Sequence, residues 1–142
     1  MAVQTEYNAT LAPAVAGAQA TMVPATIISR NVEDDDGIGF GKAVFQGAAD
    51  KGVTASGGDF VGITLLDRSA AGANDTFRVG DSARVMTKGD IWAEAAAAVA
   101  AGDAVHALAD GVLSNTGGTA IAGARWDTST TAAGQLAVVR LG

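Results

Sequence analysis

Between Asp75 and Gly111 the chain alternates apolar and polar residues in short runs, cut at close intervals by Gly80-Asp81, Gly89-Asp90, Gly102-Asp103 and Asp110-Gly111. Gly accepts positive φ and Asp bonds its own nearby backbone, so each pair predicts a turn. The runs have a period of two: Phe77 and Val79 against Arg78, Ala83 and Val85 against Arg84 and Met86, Ile91 and Ala93 against Trp92 and Glu94. Period two is the signature of a strand with one buried face. Further strands are expected at Ala25 to Ser29, Ala43 to Gln46, Ala104 to Leu108, Val112 to Asn115, Ala120 to Trp126 and Leu136 to Leu141. The run FVGITLLD from Phe60 is apolar on both faces and belongs in the middle of a sandwich or barrel. The Ala-rich segment 93–101 has high helix propensity but short strands on either side, and is read as non-helical.

Roughly eight to ten short strands separated by turn residues predict an all-β fold. The expectation is a single-domain β-barrel or jelly-roll-like sandwich of antiparallel strands. Residues 1–30 would form an extended N-terminal arm and first strand, and residues 31–142 the barrel or sandwich domain. The arm shows no sustained period, and its Tyr7, Leu11, Val15 and Met22 are apolar residues it cannot bury within itself. Either the terminus is loose or these side chains dock on a neighbouring molecule.

Composition narrows the function. With 142 residues, one core forms without crosslinks, and the absence of Cys excludes disulfides, thiolate nucleophiles and Cys-ligated metals. A net charge of -6 without any Lys/Arg-rich run argues against nucleic-acid binding. Neither a secretory signal nor a membrane span is indicated, which points to a soluble protein made in a cytoplasm. Only 17% of residues are charged, against about 25% in ordinary domains, so the surface is suited to burial against partners.

Catalytic chemistry finds little support. His106 is the sole histidine, on a strand with Ala104 and Leu108, which reads as structural; a two-His metal site is excluded. Glu33-Asp34-Asp35-Asp36-Gly37 lacks the alternating ligands and closing Glu of a calcium loop, and Gly37, Gly39, Gly41 and Lys42 miss both the Walker and the dinucleotide spacing. Asp81, Asp90, Asp103 and Asp110 each adjoin Gly, so turn chemistry accounts for them. No catalytic residue, cofactor or metal is expected. Trp126 reads as core, whereas Trp92, sharing a face with Glu94, is a candidate subunit contact.

The order GIGFGKAV, FVGI, FRVGDSARVMTKGDIW, AAGDAVHALADGVLS and GQLAVVRLG resembles the capsid cement (decoration) proteins of tailed bacteriophages. That resemblance implies a non-enzymatic all-β protein on the outer surface of the expanded head. It would lie across junctions of the major capsid protein as a homodimer or homotrimer and stiffen the shell. Capsid or subunit contacts would then fall to Tyr7, Leu11, Val15, Met22 and Trp92, chosen by exposure. The alternatives are a tail or baseplate β module, which should carry a fibrous segment, and a carbohydrate-binding jelly roll, which should show a row of aromatics.

Overall fold

A computed structural model describes residues 15–69 and 76–142. Among these the chain forms eleven strands, no α-helix and a single 3-10 turn at Ala109–Gly111. The strands are β1 (Thr26–Val32), β2 (Ile38–Gly39), β3 (Ala43–Gln46), β4 (Gly52–Thr54), β5 (Phe60–Thr64), β6 (Thr76–Phe77), β7 (Ser82–Glu94), β8 (Ala104–Ala107), β9 (Leu113–Ser114), β10 (Thr119–Trp126) and β11 (Leu136–Leu141). In the order β1-β4-β3-β5-β7, with β7 returning to β1, five strands close a small barrel. The pair β1–β4 is parallel and the others antiparallel, so the barrel is mixed where the alternation had suggested antiparallel pairing throughout.

The second half of β7 leaves the barrel and continues into a sheet ordered β7-β11-β10-β8-β9. A bridge between Ala95 and Leu113 curls that sheet back towards β7. At 13 residues β7 is the spine of both halves, and this corrects one sequence expectation: Gly89-Asp90 is no turn but lies inside the strand. Leu141 pairs opposite Gly89 and Arg140 opposite Asp90, so β11 supplies the ladder that holds these residues extended. The expected turns at Gly80, Gly102 and Gly111 all form, each with positive φ at the glycine.

Two cores result. Val32, Val44, Val53, Ala83 and Val85 fill the barrel, and the edge-to-face pair Phe40–Phe77, with ring centroids 5.0 Å apart, closes it. The larger core lies between the outer barrel wall (Phe45, Ile63, Met86) and the second sheet (Ile91, Val105, Leu113, Trp126, Val139). Met86 and Ile91 are five residues apart and would face opposite sides of a regular strand. They share one core because Thr26 and Ile27 of β1 lie opposite Lys88 and Met86, which leaves Thr87 as an extra residue that resets the alternation.

Trp126 is fully buried, as its sequence context indicated, and its indole N–H donates to the Ser114 carbonyl at 3.1 Å. The segment from Ala95 to Ala101 is non-helical; Val99 drops into the large core while its N–H donates to Thr130 Oγ1. Val79 was expected to share the buried face of Phe77, but the turn at Gly80 leaves it 51% exposed. Trp126→Ala is expected to cost about 4 kcal/mol and Val79→Ala less than about 0.5 kcal/mol. Urea unfolding of both variants checks this; a small loss for Trp126→Ala would mean the large core is not the main source of stability.

Candidate interaction surfaces

The segment ahead of β1 is sewn onto the body of its own chain. Gly17 donates its N–H to the Trp92 carbonyl at 2.8 Å, Trp92 donates to Ala18 at 2.9 Å, and Ala20 donates to Asp90 at 3.0 Å. Gln19 bridges Ile91 in antiparallel register. Residues 17–20 thus form a strap along the edge of β7 opposite β11. Its seat is tight: Gly17 is buried with φ +87°, and a Cβ there would lie 2.8 Å from the Leu66 nitrogen and 2.9 Å from Phe40 Cβ. Gly41 faces it, and a Cβ on Gly41 would come within 2.9 Å of the Gly17 nitrogen. Only glycine fits both positions without displacement.

Beyond the strap the chain swings outward. Thr21 Oγ1 donates to Asp90 Oδ2 at 2.8 Å and accepts from the Val23 N–H, which fixes the base of a loop. Met22 at its tip is 98% exposed; Val23 and, on the adjoining strand, Ile27 are also exposed. Beside the loop is a hollow of about 240 Å³ lined by Val23, Pro24, Lys88, Leu141 and Arg140 among others. Asp90 anchors this region. Its side chain is fully buried and takes two hydrogen bonds from Arg140, at 2.8 and 3.0 Å. Arg140 holds the Asp90 carboxyl below the usual carboxylate range; burial opposes that shift, and Thr21 adds to it. The same pairing raises the Arg140 guanidinium pKa further.

At the far end of the strap, Val15 stands exposed on the lip of an open groove of about 810 Å³. Asp34, Asp35, Asp36, Glu94 and Asp110 line it, with Lys42 the one cation among the lining residues. Several of the acids at turns act as backbone acceptors. Glu33 accepts from Ala48 and Ala49, Asp34 from Ala55, Asp81 from Arg78 and Asp103 from Ala100. Asn115 also donates to Asp103 and lowers its carboxyl pKa. Among the described residues no group of three His, Cys, Asp or Glu side chains is placed to hold a metal ion. His106 is half-buried with Nδ1 2.8 Å from the Gly117 carbonyl, a contact that fixes the loop after β9.

Of the five candidate contacts, Tyr7 and Leu11 lie outside the described residues. The other three fall along one line: the strap runs from exposed Val15, past half-buried Trp92 on β7, to Met22. Trp92 sits opposite Val138 of β11, and its backbone is the strap's anchor. Sequence reasoning missed Val23 and Ile27, although the pattern VPATIIS placed apolar residues on both faces of β1.

A family profile described as structural cement protein (E217 gp24/Pam3 gp6) matches residues 3–142. Among solved structures, a chain from the capsid of Myoviridae phage XM1 is similar with a TM-score of 0.74 and 17% identity, covering 100% of this chain and 98% of that one. The head fiber gp8.5 N base of bacteriophage phi29 is similar with a TM-score of 0.56 and 12% identity, covering 84% of this chain and 95% of that one. No curated protein sequence matches.

A depressed carboxylate pKa stabilises the fold above the unfolded value of about 4, and that contribution fades as the pH falls through the folded value. Asp90→Asn is therefore expected to lose about 2 kcal/mol at neutral pH and to show a shallower further loss below pH ~4. Urea midpoints across a pH series test this; identical curves for the two proteins would remove Asp90 as the anchor.

Proposed function

The chain belongs to the family of phage structural cement proteins, and from that premise we propose that it works by bridging, lying on the outer surface of the expanded head across junctions between major capsid protein subunits. It is a structural, non-enzymatic component of the virion capsid. The observation that carries the bridging reading is the family match along nearly the whole chain, joined to an apolar surface line that the body of the protein leaves uncovered.

A protein that touches two capsomers at once gains from effective concentration, because the second contact forms within an already tethered complex. Each contact then needs only modest affinity, and small exposed apolar groups held on a fixed frame suit that task. Met22 on its anchored loop, Val15 at the groove and half-buried Trp92 on β7 are the proposed contacts among the described residues, and Tyr7 and Leu11 are proposed with them. A site that exists only across a junction would make binding selective for the assembled head, because an isolated capsid subunit presents half of it. Association with itself, as a dimer or trimer, would add further bridging points.

Cosedimentation with expanded, undecorated heads and with unexpanded procapsids is the direct test. Saturable binding to expanded heads alone is expected, together with raised resistance of the particle to heat. Met22→Asp should weaken binding roughly tenfold, equivalent to about 1.4 kcal/mol, while leaving the urea midpoint unchanged. Equal binding to free capsid subunits would count against the junction site.

A further inference from the structure

The strap and β1 lie along the same edge of β7 and run in the same direction, but they do not join in register. Gln19 is opposite Ile91 and Thr26 is opposite Lys88, so seven steps along this segment cover three along β7. Four residues of chain are surplus and are looped out as the exposed Met22 turn. Seating the strap does not require this slack, because a continuous strand would reach the same seat; the surplus presents Met22 and also gives the strap reach.

We propose that the strap is exchangeable: residues 17–20 of one copy occupy the β7 edge and the Gly41 seat of a neighbouring copy, with the Met22 loop straightening as the hinge. This rests on the reading that the protein bridges as a homo-oligomer, and it specifies how copies are joined. Three features support it. Within the strap only Gly17 is buried, so the seat recognises backbone and bulky side chains contribute little. The bonds that hold it (to Trp92, Asp90 and Leu66) are equally available to the same segment of another copy. When the strap lifts, the C=O of Asp90 and the N–H and C=O of Trp92 become an open strand edge, a template for another extended segment. Exchange of an identical element is a low-cost route to assembly because no new contact has to be invented. Straightened, the five residues from Thr21 to Ala25 span up to about 17 Å, which sets how far apart the joined barrels can stand.

Two variants test this by sedimentation velocity over a range of concentrations. Gly17→Val blocks the seat from any copy's strap. Deleting Met22 to Ala25 removes the four-residue surplus and locks the strap onto its own β7. The wild-type protein is expected to form a concentration-dependent oligomer, and both variants to be monomers with the barrel still folded by circular dichroism. A wild-type protein that stays monomeric, or an oligomer that survives in either variant, would overturn strap exchange. Head cosedimentation of the same proteins separates the two claims. A monomer that binds heads saturably sinks the exchange and leaves the cement reading intact; a strap-exchanged oligomer that ignores heads does the reverse.

Discussion

A carboxylate with no exposed side-chain surface must be matched where it lies, and Asp90 is matched from both edges of β7. From one side Arg140 of β11 closes a two-pronged ion pair; from the other Thr21 donates its hydroxyl from the base of the strap loop. Three elements distant in sequence are therefore fixed at one point in the middle of the longest strand. Burying this group without either partner would cost several kcal/mol, so the ion pair also selects the register of β11. One residue of slippage would bring an apolar neighbour of Arg140 to the carboxylate.

The spine works only because its alternation is broken once. The extra residue at Thr87 lets the first half of β7 face the barrel interior and the second half face the large core, so one strand supplies two cores on different sides. Carboxylates elsewhere serve the backbone. Glu33 caps the turn between β3 and β4, where Gly47 and Gly52 have no Cβ and leave room for it. A surface whose acids hold turns in place, together with a body of small residues, suits a protein whose work is to occupy a position.

Much of this was legible in the sequence, and the reason it was legible is local. Ala43 to Gln46 and Leu136 to Leu141 form strands with those same ends because flanking turn residues stop them. Trp126 reads as core because a Trp on a strand is most often buried, and it is. Gly89-Asp90 has the same two residue types as the true turns, and nothing nearby distinguishes it; its conformation is dictated by Leu141 and Arg140, some fifty residues away. The parallel β1–β4 pair and the strap's seat at Gly41 are likewise long-range facts with no local signature. Val15, Met22 and Trp92 were chosen by exposure logic as separate residues; that a single strap aligns them needed the fold.

Closure of β1, β4, β3, β5 and β7 into a ring has a meaning at the scale of a particle. Molecules that coat a shell are held side by side at very high local density, and there an open sheet edge would recruit its neighbours into an unending ladder. The barrel half of this protein offers no such edge, and beyond it the strap covers the edge of β7. Coverage of a surface by this protein can stop when the surface is full.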